Sequence, residues 1–437
     1  FLFFPVPLAD CCLPSHRPSS SFCYYNTVML LFLSLALSTV FCSLDDANSE
    51  EREKCKGERR VTCHHHHHKR AAHDDQAAGS PTRLWYKRSD SVPTCPTVPP
   101  DASVFRVAFV GDFGFREAGC ETFVADAIRA SDPHEVVTLG DNNYHHGECQ
   151  SMHDNIAKDY HRYLGALEDL SCFEPEDDEY GSAAEERFDE ITKVAHDTVR
   201  QAIFANGTDG LPRFWPVLGN HDVDKYLELR PQGTFERDLP YFQYFLHLNG
   251  SAYYQRHLDA RWTSQDPDLP SVQLFALDST ANASMLEEQR VWVAEGLRTS
   301  TADYRIVVMH HAPFSSSGHH EPAVELRWPF AEWGASAVLA GHVHAYERVQ
   351  RKEDGGMPYI VNGLGGIDKL YEVAICDAVT RGSQFRYDAA HGFVMAYFGK
   401  SWAGFCFQSM QDGVVDSFTI PSGRLNLTAA RQPGPAP

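Results

Sequence analysis

The sequence has no excess of basic residues, no apolar run of the ~20 residues that a membrane-spanning helix needs, no Cys-x-x-Cys pair and no internal repeat. Each absence removes a class of function. With 38 Lys and Arg against 59 Asp and Glu, the net charge is -21, which disfavours a nucleic-acid backbone as partner because polyanion binding normally shows a basic footprint. The missing apolar span argues against a stable transmembrane helix. The missing Cys-x-x-Cys argues against a zinc ribbon, and the missing repeat against a solenoid.

What is present suits a folded enzyme-sized chain. The 437 residues are 43% hydrophobic, enough for one large or two moderate domains. The first Met is Met29, and the stretch MLLFLSLALSTVFCS that begins there has the length of a signal-peptide core, with small residues near a cleavage point. It lacks a basic leader, and residues 1–28 before it read as an overrun of the coding sequence. Export is consistent with four N-x-S/T sequons, at Asn206, Asn249, Asn282 and Asn426. Of 12 cysteines, eight remain once Cys11, Cys12, Cys23 and Cys42 are set aside, an even number that permits disulfides. The expected location is secreted, or the lumen of the endomembrane or vacuolar-lysosomal system.

The texture divides the chain into a signal-containing leader (1–43), a low-complexity, disordered segment (44–102), a catalytic domain (103–425) and a disordered tail (426–437). The HHHHH tract at 64–68 reads as solvated low complexity or a tag, with metal sequestration as its alternative. From residue 103, short β-branched runs alternate with loops and helical stretches: VFRVAFVGD, EVVTLGD, RFWPVLGNHD, VQLFALDS, YRIVVMHH, SAVLAGHVH and PYIVNGLGG. Near-continuous apolar strands are buried on both faces, and strand-helix alternation implies βαβ units in an α/β fold. ETFVADAIRAS and MLEEQRVWVAEGLR read as helices, and the last hundred residues as antiparallel strands that complete the sheets. The acidic 151–200 stretch reads as a solvated helical insert.

Five of these strands end in metal-ligating side chains. The first runs into GDFG (Asp112), the second into GDNNY (Asp141, Tyr144) and the third into GNHD (Asn220, His221, Asp222); two later ones run into MHH (His310, His311) and GHVH (His342, His344). Open α/β sheets place ligands at carboxyl ends of strands. Each signal is weak alone, but five in succession are hard to attribute to chance. Carboxylates, a phenol, an amide oxygen and imidazoles suit iron, zinc or manganese, and a carboxylate able to bridge two ions suits a paired-metal clamp on phosphorus.

In order and broad spacing, GDFG, GDNNY, GNHD, VVMH and GHVH resemble the five motifs of the purple acid phosphatases, within the calcineurin-like metallophosphoesterases, over roughly residues 103–420. The first motif lacks the DxH of most of that superfamily, and Tyr144 in the second is the discriminating residue. The resemblance implies a β-sandwich of two mixed sheets flanked by helices. It implies a ferric ion held by Asp112, Asp141, Tyr144 and His344, and a divalent iron, zinc or manganese held by Asp141, Asn220, His310 and His342, with His311 as the alternative to His310. It implies phosphate contact and leaving-group protonation by His221 and by His319, nine residues after His310, with His320 adjacent. The implied activity is an acid phosphatase cleaving phosphate monoesters (small phosphorylated metabolites, nucleotides or phosphoproteins) by attack of metal-bound hydroxide. A phosphodiesterase or nucleotide pyrophosphatase on the same scaffold, and a non-enzymatic metal-binding glycoprotein, are the alternatives. His145 and His146 read as pocket wall or surface loop, and Ser315 and Ser316 are not assigned as nucleophiles.

Overall fold

β-branched and aromatic runs at the expected places form strands because their alternate side chains can be buried on two different faces. In this computed structural model the described residues are 58–60, 93–98, 103–164, 212–224, 239–258, 269–373 and 380–422. They form fifteen strands: β1 (Glu58–Arg60), β2 (Phe105–Val110), β3 (Glu135–Thr138), β4 (Phe214–Trp215), β5 (Tyr254–Leu258), β6 (Val272–Ala276), β7 (Tyr304–Val308), β8 (Ala337–Ala340), β9 (Tyr346–Gln350), β10 (Pro358–Asn362), β11 (Lys369–Tyr371), β12 (Ser383–Tyr387), β13 (Gly392–Phe398), β14 (Trp402–Ser409) and β15 (Gly413–Pro421). Helices used below are α1 (Cys120–Ala130), α2 (Lys158–Leu164) and α3 (Ala283–Thr299).

The strands make two large mixed sheets, in the orders β15-β14-β13-β2-β3-β4 and β12-β9-β10-β8-β7-β6-β5. β2, β3 and β4 run parallel, as do β6, β7, β8 and β10. β13, β14 and β15 complete the first sheet as antiparallel strands, and β5, β9 and β12 edge the second in the same sense. The sheets stack face to face. Phe105, Val107 and Phe109 of β2 meet Ile306 and Val308 of β7 and Leu339 of β8 in one buried core. The alternate residues face outward. Ala108 and Val110 pack with Val124 and Ile128 of α1 and Tyr160 of α2, while Phe275 and Val307 pack with Val293 and Leu297 of α3. The architecture is therefore two mixed sheets flanked by helices, as expected from the sequence.

Local chemistry explains the helix starts. Asn282 caps α3, its side-chain oxygen accepting from the backbone N–H groups of Ser284 and Met285 at 3.1 Å each. Asn282 and Asn249, two of the sequon residues, are exposed. Asn206 and Asn426 lie outside the described residues, as do the leader, the HHHHH tract, the tail and the insert beyond residue 164.

Within 44–102, the described residues are two short pieces. β1 pairs antiparallel with β11, Glu58 opposite Tyr371. Residues 93–98 are tethered by the Cys95–Cys406 disulfide, which closes a separation of 311 residues, and Pro96 sits where a Cβ on Gly404 would be, 2.3 Å away. Cys120 and Cys149 are also disulfide-bonded.

One buried acid carries a pH consequence. Glu121, in the first turn of α1, is fully buried, neither carboxylate oxygen has a hydrogen-bond partner, and the nearest cation, Arg116, is 3.8 Å from it. Burial pushes its carboxyl up to about 7, with a smaller upward push from Asp159. The folded chain thus holds more protons than the unfolded one between pH 4.5 and 7. Stability from this group is complete below that window and is lost as pH rises through it. Glu121→Gln should therefore leave the urea midpoint nearly unchanged at pH 4.5 and raise stability by on the order of 2 kcal/mol at pH 8. An equal effect at both pH values would show that Glu121 does not titrate in this way.

Candidate metal centre

The five motifs follow the carboxyl ends of β2, β3, β4, β7 and β8. The first three strands belong to one sheet and the last two to the other, and their motif loops converge beyond the carboxyl ends of these strands, at one end of the sandwich. Asp112, Asp141 and His342 have φ of 56°, 53° and 66°, in the left-handed region that non-glycine residues avoid. Such backbone costs of order 1–3 kcal/mol per residue and persists only where the surroundings enforce it. Here the enforcement is crowding. A Cβ on Gly140 would lie 2.3 Å from His310 Nδ1, and one on Gly219 would lie 2.2 Å from Asp141 Oδ1.

Asp141 is the hinge of the arrangement. Its Oδ2 accepts from the Tyr144 hydroxyl at 2.8 Å, and its Oδ1 lies 3.3 Å from His310 Nε2. On the Oδ2 side, Tyr144 also reaches Asp112 Oδ1 at 3.2 Å, and His344 Nε2 lies 3.3 Å from that same oxygen. On the Oδ1 side, His310 Nε2 lies 3.0 Å from Asn220 Oδ1 and 3.2 Å from His342 Nδ1. Seven predicted residues thus fall into two contiguous groups that share one carboxylate. Donor atoms of Asp112, Asp141 and His310 all lie within 4.8 Å of one another.

The donor chemistry fits cations. His310 Nδ1 lies 2.8 Å from the Leu139 carbonyl, and His344 Nδ1 lies 2.7 Å from the Lys369 carbonyl. A carbonyl only accepts, so Nδ1 carries the proton and Nε2 presents its lone pair inward, the usual second contact of a metal-bound histidine. Inward, however, it meets other acceptors: carboxylate and amide oxygens. Lone pairs so opposed need a proton or a cation between them. Without a cation, burial would depress His310, but Asp141 overrides it and holds the imidazole up at about 9. Burial and the two carboxylates push the Tyr144 phenol well above its usual range, so a phenolate there requires a positive ion. Burial and the neighbouring His310 push His342 well below its usual range.

A model of the calcineurin-like phosphoesterases matches residues 105–346. The chain belongs to this family. Members typically bind two metal ions and are hydrolases of phosphate esters. Solved structures of similar fold include GAP50, the anchor in the inner membrane complex of Plasmodium, at 14% identity with a TM-score of 0.48, covering 73% of this chain and 89% of that one. Purple acid phosphatase PPD1 from yellow lupin is similar at 18% identity with a TM-score of 0.42, covering 75% of this chain and 55% of that one. PhoD is similar at 14% identity with a TM-score of 0.38, covering 76% and 72%.

Around the calcineurin-like centre the remaining predicted residues are also near at hand. His221 donates its backbone N–H to Asp141 Oδ1 at 2.9 Å, and its ring lies 4.4 Å from that of Tyr144. His319 stacks on Tyr371 at 3.8 Å. His320 lies 3.3 Å from the Tyr371 hydroxyl and its ring is 4.1 Å from that of His342; burial, then His344, push it down to about 3. Tyr371 also stacks on His344 at 4.3 Å. No motif signals Tyr371, which arrives by the pairing of β11 rather than by a strand end. His145 and His146 are exposed at the rim, where His145 packs on Phe115 and His146 pairs with Asp224 at 3.0 Å. Ser315 and Ser316 are buried, and Ser316 is bound to Glu347.

Asp222 departs from the ligating role that its place in GNHD suggested. Its Oδ1 accepts from the backbone N–H groups of Asn142 and Asn143, and its Oδ2 from the Asn142 amide and the Gly219 N–H, at 2.8–3.1 Å. All four of its bonds are thus directed into the loops that carry Asp141 and Asn220. Burial and Asp141 raise its carboxyl to about 7. Asp222→Ala leaves four buried donors without an acceptor and should cost about 3 kcal/mol or more in stability, read from urea denaturation. A loss under 0.5 kcal/mol, the size of an ordinary surface change, would show that this tie is not needed.

Proposed function

We propose that this calcineurin-like phosphoesterase is an acid phosphatase of the purple type, hydrolysing phosphate monoesters at a pair of metal ions. The observation that carries this reading is Tyr144: a buried phenol wedged between Asp112 and Asp141, opposite His344. A phenolate at such a position binds ferric iron, whose charge offsets two carboxylates and a phenolate together. In this reading Asp112, Asp141, Tyr144 and His344 hold the ferric ion, and Asp141, Asn220, His310 and His342 hold a divalent iron, zinc or manganese. When bound, the ions would supply Lewis acidity toward phosphate oxygens and toward water.

The protein's own groups do the rest. His221 sits beside Tyr144 with its Nδ1 2.6 Å from the His145 carbonyl, which leaves Nε2 as the nitrogen to contact an equatorial phosphate oxygen. His319, fixed by stacking on Tyr371, is the proton donor to the leaving alkoxide. His320, held neutral down to about pH 3, binds rather than protonates. Small phosphorylated substrates such as monophosphate esters, nucleotides or phosphoproteins suit this centre. We place the protein outside the cell or in an acidic endomembrane lumen, a reading supported by the Cys95–Cys406 disulfide. The boundaries 1–43, 44–102, 103–425 and 426–437 remain our proposed division of the chain, with a cleaved leader and the catalytic domain as its functional parts.

Two experiments test the reading. Metal analysis with a visible spectrum should find two ions per chain and a phenolate-to-iron band. Tyr144→Phe should abolish that band, and Asp141→Ala should lose both ions and all turnover; retention of two ions in Asp141→Ala refutes the assignment. On a generic aryl phosphate, turnover should far exceed that on the matching diester, and His319→Ala should lower kcat by about 10²–10³ for an alkyl phosphate, whose leaving group needs a proton, and by much less for an aryl one. Faster diester cleavage would favour the phosphodiesterase alternative.

A further inference from the structure

The loop after β7 offers one imidazole more than two ligand sets require. His311 follows His310 directly, yet it does not turn away from the centre. Ring nitrogens of His310, His311 and His342 all lie within 4.8 Å of one another, and the His311 ring packs on that of His342 at 4.3 Å. Its Nδ1 lies 2.9 Å from Ser279 Oγ, which also accepts the His311 backbone N–H at 2.9 Å. Ser279 stands just past the carboxyl end of β6, the strand between β5 and β7 that brings no ligand of its own. Ser279 Oγ thus holds His311 at two points, the backbone N–H and ring Nδ1, which leaves Nε2 as the ring nitrogen that Ser279 does not engage. Nδ1 is likewise the anchored nitrogen at His310 and His344, where it faces the carbonyls of Leu139 and Lys369. An imidazole turned so that its free nitrogen faces two others is built as a donor.

Resting on the two-ion reading above, we propose that His311 is a further nitrogen donor to the divalent position, oriented by Ser279, and that the resulting three-imidazole pocket selects zinc over manganese. The selection is chemical. Imidazole suits zinc, while carboxylate, carbonyl and water ligands suit manganese. With Asn220 and Asp141 alone beside His310 and His342, the site would balance oxygen against nitrogen; His311 tips it toward nitrogen. Ser279 acts through His311 and is a positioning residue.

The test compares the full chain with His311→Gln and Ser279→Ala. Divalent affinity is measured by chelator competition with zinc alone and with manganese alone, and geometry by the visible spectrum of cobalt placed at the divalent position. His311→Gln should weaken zinc binding at least tenfold, change manganese binding by less than about threefold and shift the cobalt bands, while Ser279→Ala weakens zinc by ~10-fold because loss of an orienting partner costs that much. Circular dichroism of each variant checks folding, and Ser279→Ala carries the test should His311→Gln not fold. Two ions bound by the parent chain with zinc affinity and cobalt bands unaltered in both variants would overturn the role of His311 and leave the two-ion reading standing. A parent chain that binds no divalent ion would overturn both.

Discussion

Everything at the motif end of this molecule depends on lone pairs that point at one another. Asp141 presents one oxygen to the Tyr144 hydroxyl and the other to His310. His310 in turn faces Asn220 and His342 with Nε2, the nitrogen that its bond to the Leu139 carbonyl leaves for a second proton or a cation. In a buried setting such a collection is strongly unfavourable unless positive charge sits inside it. The fold therefore does more than tolerate a cation. It is arranged so that a cation resolves a conflict the chain has built.

A conflict of this kind needs a rigid frame, and the frame comes from two sheets stacked face to face. Asp112, Asp141 and Asn220 are carried by one sheet, and His310, His342 and His344 by the other. The common core between the sheets, from Phe105 through Leu339, fixes their relative position, so relaxation of one ligand loop away from the other would require the core to open. Left-handed backbone at Asp112, Asp141 and His342 shows the force with which the loops are held. Asp222 supplies the local counterpart: with four accepted hydrogen bonds it binds the Asp141 loop to the Asn220 loop. A residue that GNHD offers beside Asn220 and His221 is spent on alignment instead.

Much of this was legible in the sequence, and the parts that were not share a cause. Apolar strands ending in Gly-Asp, Gly-Asn-His and Gly-His announced both the sheets and the loops, because burial on two faces and a turn with a required glycine leave local marks. β2, β3, β6, β7, β8, β10 and the last three strands all fall on runs recognisable as strands. Contacts set by long-range pairing leave no such mark. Tyr371 stands in β11, a strand of three residues that pairs with β1 from the far end of the chain, and only the fold brings its ring between His319 and His344. Ser279 ends a strand like the others, but a hydroxyl has too many ordinary uses for its spacing to signal anything. The choice between His310 and His311 was open for a related reason: adjacent residues after a strand point in directions that the sequence does not specify. Both turn out to face the centre, His310 toward Asp141 and Asn220, and His311 toward His342 and Ser279.

The acidity of the whole chain and the chemistry of its centre follow separate rules. A net charge of -21 would repel a phosphate dianion at long range. Yet at physiological ionic strength exposed charges are screened over about 8 Å. Inside the centre the balance reverses. In the function proposed above, a ferric and a divalent ion would carry more positive charge than Asp112, Asp141 and Tyr144 return, and His221, His319 and His320 would add imidazoles without adding carboxylates. The field that a phosphate meets on arrival is that of the buried pair and its imidazoles. In that reading an acidic surface disfavours polyanions, while attraction for a small phosphate ester is confined to the few ångströms around the buried centre.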